Sequence, residues 1–249
     1  MYLPIQSQPD CVSAWRKAVG VVEAEHGHEA HNVIIDVADP LARAGMDDPV
    51  VREVDAYLVS KDKKAVETVA NTIFPAALYR RYGAPAFYQR FSDNVLPRVR
   101  RSGRWSGYYF ERMIALPVEG KAPVNQLEDI ISRLKNPSVA ARNKFELSVF
   151  DPARDVDKSV YGGQCLSFGS FKLRNDEGVE HLDLTVLYRN HYYIEKLLGN
   201  LIGLGRLMGF VAKEADVQVG ALTVVSTHAE VDGPRRAIKA LLARCDALG

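Results

Sequence analysis

Four residues in the C-terminal half have types and an order that could support chemistry on a small polar molecule. Cys165 opens an alternating strand pattern, and Arg189 ends the next one. Asn200 follows eleven residues later in a long apolar segment, and His228 ends a late strand pattern. A thiolate is a soft nucleophile, and a nearby arginine can bind phosphate and depress the thiol pKa. A carboxamide offers both a donor and an acceptor, and an imidazole can bond a hydroxyl.

The order of these residues resembles that of the thymidylate synthase family. There a cysteine leads a strand, the next strand ends in an arginine, and a glycine and an asparagine follow in a helix, as Gly199 and Asn200 do here. The resemblance implies that Cys165 adds to C6 of a uracil ring and that Arg189 binds the substrate phosphate. It also implies that Asn200 reads the edge of the base and that His228 faces the sugar.

Three further positions resemble the family less closely. Tyr109, in GYYFERM, matches a tyrosine that lies over the thiol. Arg142, in KNPSVAARN, matches one of two arginines that reach into the partner subunit's site, and Ala141 takes the place of the other. Arg43, in DPLARAG, matches an N-terminal arginine that binds phosphate. The resemblance therefore implies a homodimer, and it is stronger over residues 105–235 than upstream.

Several positions depart from the family's pattern. Asn71 stands where the family has a glutamate that organises proton transfer, and Tyr192 replaces an aspartate that helps to hold folate. Glu230 replaces a tyrosine near the sugar, and Leu166 replaces the histidine that follows the nucleophile. The base and phosphate ends of the implied site are thus partly kept, whereas the folate end is altered.

The resemblance implies one-carbon transfer to C5 of a uracil nucleotide monophosphate through a covalent Cys165 adduct. Methyl and hydroxymethyl transfer are equally compatible, with 5,10-methylenetetrahydrofolate as the implied cofactor and no metal. An alternative is a nucleotide-binding homologue that has lost folate-dependent catalysis and acts as a sensor or pathway partner.

Each residue also has a purely structural interpretation. Cys165 and Tyr109 could fill the core, Asn200 could bridge helices, and Arg142 could be a solvated helix-end charge.

The elements that must position these residues follow from local periodicity. Apolar residues at helical spacing predict helices, and alternating apolar residues predict strands. Residues 1–30 are expected to be irregular or helical. Strands are predicted at HNVIIDVADP, at KFELSVFD, on both sides of the turn Asn175–Gly178 and at GALTVVSTHAEVD. Helices are predicted at DKKAVETVANTIFPAALYRRYG, APAFYQRFSDNVLPRVRR, NQLEDIISRLKNPS, residues 192–215 and PRRAIKALLARCDAL. The run DDPVVREVDAYLVS is ambiguous between strand and helix. We expect one α+β domain over residues 1–249, a thymidylate synthase-like mixed β-sheet packed by helices around a long buried central helix.

Composition excludes several classes of protein. The 249 residues carry a net charge of +1, so no overall positive field attracts nucleic acid or an anionic membrane. No apolar run reaches the roughly 18–20 residues that span a bilayer, and the N-terminus lacks the pattern of a signal peptide. The three cysteines are far apart in sequence and form no CxxC pair, which favours a reduced cytoplasm.

Three other sequence patterns are only weak evidence for a metal site, a dinucleotide site or a nucleic-acid site. His26, His28 and His31 match no standard metal spacing. GLGRLMG, at residues 203–209, misses the dinucleotide fingerprint and lies in a predicted helix, where its glycines would permit close packing. The basic run RVRRSGRW, at residues 98–105, is typical of a solvated loop.

Overall fold

A mixed β-sheet organises the molecule, whose computed structural model describes residues 2–101, 108–156 and 163–249. The strands within these ranges are β1 (Leu3–Pro4), β2 (Glu29–Val37), β3 (Phe145–Ser148), β4 (Leu166–Asp176), β5 (Val179–Tyr188), β6 (His191–Tyr192) and β7 (Gln218–Glu230). They form one sheet in the order β1-β2-β7-β5-β4-β3, and β6 pairs with the end of β7. β4 and β5 form the predicted antiparallel hairpin, whereas β5 and β7 are parallel.

The sheet buries one face, as strand alternation requires. On β5 the side chains of Leu182, Leu184, Val186 and Tyr188 are all buried, and the residues between them are more exposed. Tyr188 pairs with Leu166 of β4 on one side and with Ser226 of β7 on the other. The end of β5 is therefore flanked by the start of β4 and the far part of β7.

Helices cover the buried face of the sheet. They are α1 (Cys11–Ala24), α2 (Pro49–Ser60), α3 (Val66–Ile73), α4 (Ala76–Tyr82), α5 (Ala86–Arg90), α6 (Leu96–Arg100), α7 (Tyr109–Ile114), α8 (Gln126–Lys135), α9 (Pro152–Asp155), α10 (Leu198–Ala215) and α11 (Arg235–Asp246). A short 3-10 turn spans His26–His28, and π-helical segments span Phe91–Val95 and Tyr193–Leu197. The predicted α+β class is confirmed.

Helix α10 is the central buried helix that the sequence predicts. It is apolar nearly all round, and almost every residue from Leu198 to Ala212 is buried. A Cβ built on Gly199 would lie 2.6 Å from Val69 Cβ, and one on Gly203 would lie 2.7 Å from the Ala70 carbonyl oxygen. Because no larger side chain fits, these glycines let α10 pack directly against α3.

Local sequence signals place some boundaries differently from the structure. The helix predicted over residues 62–83 is two helices, because Pro75 cannot donate the hydrogen bond that would continue α3 into α4. The ambiguous run that precedes it is helix α2, which begins with Asp48 as its N-cap and Pro49 in its first turn. The segment expected to be irregular or helical contains α1, whose Trp15 is fully buried.

The opposite face of the sheet keeps apolar side chains partly exposed. Phe168 on β4 is 38% exposed, and Leu187, Val225 and Ile34 are half-buried on the neighbouring strands. Ion pairs lie towards one end of this face, where Arg174 Nε is 3.0 Å from Asp183 Oδ2. We call this surface the outer sheet face. Partly exposed apolar side chains thus lie side by side on it.

Among the described residues, none of the helices combines the length and apolar character needed to cross a membrane.

Candidate functional site

The thiol of Cys165 lies at the beginning of β4, beside the end of β5. Cys165 is partly exposed, unlike the other two cysteines, which are buried. The backbone N–H of Arg189 donates to the Cys165 carbonyl at 2.9 Å, and Arg189 Nε donates to the Gln164 carbonyl at 3.0 Å. The hairpin thus brings together two residues that are 24 positions apart in sequence, as their roles in the resemblance require.

Burial and nearby positive charges have opposite effects on the pKa of the Cys165 thiol. Burial raises the pKa of Cys165, while the positive charges of Arg189 and Lys196 lower it. Lys196 belongs to the π-helical segment before α10 and was not singled out from the sequence. Burial lowers the pKa of Lys64, the like charge of nearby Lys196 lowers it further, and Glu195 opposes both effects. Lys196 Nζ is also ion-paired with Glu195 Oε1 at 2.7 Å. Arg189 and Lys196 are therefore the positive groups near the thiol that could bind an anionic ligand, with the charge of Lys196 partly compensated.

Tyr109, the first residue of α7, lies next to the thiol. Burial raises the pKa of its phenol, and the nearby Cys165 raises it further. The backbone N–H groups of Leu166 and Cys165 oppose this effect, so the phenol oxygen faces the start of β4. The Tyr109 ring lies edge-on to Tyr188 with centroids 6.5 Å apart. This places Tyr109 within the same cluster as the thiol.

Tyr188 is a site residue that sequence reasoning missed. It is 0% exposed, and its hydroxyl has no hydrogen-bond partner among the described residues. Burial raises its pKa well above the usual value, and the neighbouring Tyr109 and Cys165 raise it further. A buried hydroxyl without a partner costs stability, so natural sites tend to keep one for a ligand or an ordered water. The sequence feature that could have indicated Tyr188 is a tyrosine at an inward-facing strand position, directly before Arg189.

His191 is the second residue that sequence reasoning missed. It is 2% exposed and its ring stacks on Tyr188, with centroids 4.1 Å apart and an interplanar angle of 12°. Its Nδ1 lies 3.0 Å from Ser226 Oγ, and its Nε2 lies 3.0 Å from Asn200 Nδ2. Burial lowers the pKa of His191 to about 3, so the ring is neutral at neutral pH. His191 links the tyrosine cluster to α10.

Asn200 lies near the start of α10 and is 3% exposed. Its amide nitrogen donates to His191 Nε2, and its side-chain oxygen accepts no hydrogen bond from the described residues. A buried carboxamide therefore has its acceptor and one N–H available beside the tyrosine cluster. This geometry is compatible with reading the edge of a base, the role that the resemblance implies.

His228 and Glu230 lie near the end of β7, two and four residues beyond Ser226. His228 Nδ1 is 2.6 Å from Asn190 Oδ1, and its Nε2 is 3.2 Å from Glu29 Oε2. Glu230 pairs across the sheet with Glu29 and is half-buried. Both residues are thus at the same end of the sheet as Arg189, but their contacts to a sugar remain predictions.

The two other predicted phosphate ligands lie apart from the thiol within this chain. Arg142 Nη2 is 2.5 Å from Glu180 Oε1, near the beginning of β5. Arg43 bonds Asp48 Oδ2 at 2.8 Å through Nε and the Gly249 carbonyl at 2.7 Å through Nη1. The hydrogen bond that Arg43 donates to Asp48 raises the pKa of Arg43. Among the described residues, the partners of both guanidinium groups lie outside the Cys165 cluster.

The weaker sequence signals have structural roles or lie partly outside the described residues. Glycines of the run at residues 203–209 pack α10 against its neighbours, as expected. In the described part of the chain, no group of three or more histidine, cysteine or acidic side chains could hold a metal ion. The basic run at residues 98–105 ends α6, and its residues 102–105 lie outside the described residues.

Comparison with known proteins supports a distant and partial relationship to thymidylate synthases. A Methanosarcina mazei protein named "Putative thymidylate synthase" is 33% identical over 108 residues, which are 43% of this chain and 46% of that protein. Proteins of the same name from Methanothermobacter thermautotrophicus and Methanococcoides burtonii are 32% and 29% identical over 108 residues, again 43% of this chain and 45% and 46% of theirs. The chain thus spans less than half the length of these relatives. No family model matches the sequence.

Proposed function

We propose that this protein transfers a one-carbon unit, as a methyl or hydroxymethyl group, to C5 of a uracil nucleotide monophosphate. The observation that carries the proposal is the partly exposed Cys165 thiol, with Arg189 and Lys196 close enough to lower its pKa. The partial similarity to proteins named thymidylate synthase supports the same reaction class. Because a one-carbon group moves from a donor molecule to the base, the reaction is a group transfer and not a hydrolysis.

The chemistry begins with the Cys165 thiolate. Its sulfur forms a bond to C6, the C5–C6 double bond opens, and the electron pair moves to C5 and the C4 carbonyl oxygen. The available N–H of Asn200 can donate to that oxygen as its negative charge develops. After the one-carbon unit bonds to C5, the C5 proton leaves to a base and the bond from the unit to its carrier breaks. A hydride would then complete a methyl group, or water would complete a hydroxymethyl group with loss of a proton. The sulfur–C6 bond breaks in the same step, which restores the C5–C6 double bond and the thiolate.

Positive charge near the thiol would assist the first step. Because burial raises the pKa of Cys165, the free protein holds mostly the thiol at neutral pH. Arg189 and Lys196 provide positive charge that can bind a substrate phosphate and that favours the thiolate. The proton lost by the thiol can pass to water, because burial raises the pKa of the Tyr109 phenol and keeps that group protonated.

A cavity beside the segment before Lys196 is the candidate position for a folate-like cofactor. It has a volume of about 410 Å³ and is lined by Tyr57, Tyr192, Lys61 and Lys63, and also by Glu195 and Asp232. Tyrosine rings can pack against an aromatic pterin, and Lys61 can pair with a carboxylate, whereas Lys63 is already ion-paired with Glu195 at 3.1 Å. When bound there, methylenetetrahydrofolate would supply the one-carbon unit and, for methyl transfer, the hydride that reduces it. Tyr192 would then pack against the cofactor where the family uses an aspartate.

The proposal includes a symmetric homodimer. Arg142 bonds Glu180, eight residues before the end of β5, and this places it roughly 26 Å along the strand from Tyr188 at about 3.3 Å per residue. Arg142 can therefore reach a Cys165 site only in a second copy of the chain. Pairing of two outer sheet faces would cover Phe168, Leu187 and Val225 and would bring such a copy into position.

Binding without catalysis is the second candidate function. Asn71 occupies the position of the family's glutamate, and its amide nitrogen donates to Glu67 Oε1 at 3.1 Å on its own helix. No carboxylate is therefore at that position to organise proton transfer. The raised pKa of Cys165 also favours this alternative.

One experiment separates the two functions. Intact-mass spectrometry follows the protein after incubation with 5-fluoro-dUMP or 5-fluoro-UMP, each with and without methylenetetrahydrofolate. The transferase predicts a stable adduct that Cys165→Ala abolishes and Cys11→Ala retains, because Cys11 is buried and its pKa is raised by burial. Nucleotide binding by calorimetry without any adduct would establish the binding protein instead. Absence of both would refute the proposed site.

A further inference from the structure

A buried histidine is hydrogen-bonded to Asn200, the carboxamide that the proposed function assigns to the base. His191 lies on β6 between Ser226 of β7 and Asn200 of α10, and both of its ring nitrogens have a partner. Its Nε2 is 3.0 Å from the amide nitrogen of Asn200, and its Nδ1 is 3.0 Å from Ser226 Oγ. The thymidylate synthase resemblance assigns no role to this position.

The protonation of the ring follows from these partners. Burial lowers the pKa of His191 to about 3, so the imidazole is neutral and has one N–H and one acceptor nitrogen. The amide nitrogen of Asn200 can only donate, which makes Nε2 the acceptor. The ring proton must therefore be on Nδ1, from which it is donated to Ser226 Oγ.

This arrangement leaves Asn200 with a defined outer edge. One amide N–H is used by His191, and the side-chain oxygen accepts no hydrogen bond from the described residues. The free edge thus presents an acceptor and a donor side by side. Turning the amide by 180° would place its oxygen against the lone pair of Nε2. The inverted amide therefore requires the ring proton to move from Nδ1 to Nε2 and the Ser226 hydroxyl to rotate.

We propose that His191 is a specificity-determining residue, which holds Asn200 in the orientation that accepts a uracil-type edge and rejects a cytosine-type edge. The inference rests on the proposed function, because it assumes that a pyrimidine base meets Asn200. Uracil offers an N3–H donor and an O4 acceptor, which match the oxygen and the free N–H of the amide. Cytosine offers the reverse pattern and would leave both groups of the buried amide unpaired.

The tautomer can be tested without any ligand. Long-range ¹H–¹⁵N correlation spectra of the wild-type protein at neutral pH should show His191 with a protonated Nδ1 and an unprotonated Nε2. The assignment comes from the signals that disappear in His191→Gln. A protonated Nε2 or a charged ring would overturn the inference, because either state would place the oxygen of Asn200 against the histidine.

The selectivity is tested by calorimetric titration with dUMP, UMP, dCMP and CMP. For the wild type we expect at least about tenfold tighter binding of the uracil nucleotides, the scale of an unpaired buried polar group. His191→Leu removes the acceptor and should reduce this ratio to within about threefold. His191→Gln offers a carbonyl oxygen to the same N–H and should keep most of the preference.

The outcomes separate this inference from the proposed function. An unchanged uracil-to-cytosine ratio in His191→Leu, with tight dUMP or UMP binding, overturns the role of His191 and leaves the function standing. Failure of all four nucleotides to bind the wild type overturns the function, and the selectivity claim with it. A wild type that binds the cytosine nucleotides more tightly also overturns the inference.

Discussion

Two buried tyrosines pack against the His191 ring, and they differ in whether the hydroxyl has a partner. Tyr188 stacks on the ring at 4.1 Å, and its hydroxyl has no partner among the described residues. Tyr193 lies edge-on at 5.5 Å, and its hydroxyl donates to Ser226 Oγ at 3.3 Å. Both side chains are 0% exposed. Substitution by phenylalanine therefore removes the same atom from two similar environments, and we expect opposite effects on stability.

The magnitudes follow from the hydrogen bonds. An unpaired buried hydroxyl costs roughly 1–3 kcal/mol, and removing one leaves a small void, so Tyr188→Phe should raise the free energy of unfolding by about 1 kcal/mol. Tyr193→Phe loses a long hydrogen bond and should lower the free energy of unfolding by about 0.5–1.5 kcal/mol. In a chain of this size, 1 kcal/mol corresponds to roughly 2–4 °C in Tm.

Urea unfolding followed by circular dichroism measures both variants against the wild type, with Tm as a second measure. Equal m values are required for the comparison of midpoints. If Tyr188→Phe is destabilised as much as Tyr193→Phe, its hydroxyl has a partner in solution, such as an ordered water, and the reasoning fails. We also expect Tyr188→Phe to slow adduct formation with 5-fluoro-dUMP, because a hydroxyl kept at a cost in stability serves the ligand.

Four further predictions concern the site, its pH dependence and the assembly. Asn200→Asp should shift the preference towards cytosine nucleotides by about 1–3 kcal/mol in calorimetric titration, and an unchanged ratio would make Asn200 a packing residue. Arg189→Ala should weaken binding of a nucleotide monophosphate far more than binding of the nucleoside, and equal losses would argue against a phosphate contact. Because burial lowers the pKa of His191 to about 3, the unfolded chain binds a proton that the folded one excludes, so stability is retained above about pH 6.5. As pH falls from there towards 3, this residue should cost about 1.4 kcal/mol per pH unit in urea unfolding, and a slope unchanged in His191→Gln would refute this assignment. The chain should sediment as a dimer of 27.6 kDa subunits at micromolar concentration, and Phe168→Arg should yield monomers, whereas a monomeric wild type would contradict the dimer.

The sequence by itself determined the elements and part of the site. Alternation of apolar residues fixed β4, β5 and the inward position of Tyr188, because a strand with one buried face requires that period. The apolar run after residue 192 fixed the buried central helix, and Pro75 carried the signal for the break that the single-helix prediction overlooked. The proximity of Cys165 to Arg189 also followed from the sequence, because a hairpin joins strands that are consecutive in the chain.

Only the tertiary structure decided which polar groups face one another. The parallel pairing of β5 with β7 places Ser226 opposite Tyr188, and helix α10 brings Asn200 to His191. No local period predicts such contacts, because each depends on packing between segments that are distant in the chain. In the sequence, His191 is only a histidine two residues after the arginine that ends a strand pattern. Its burial and its two partners make it a fixed neutral donor and acceptor, and those properties arise only when the sheet and the central helix pack together.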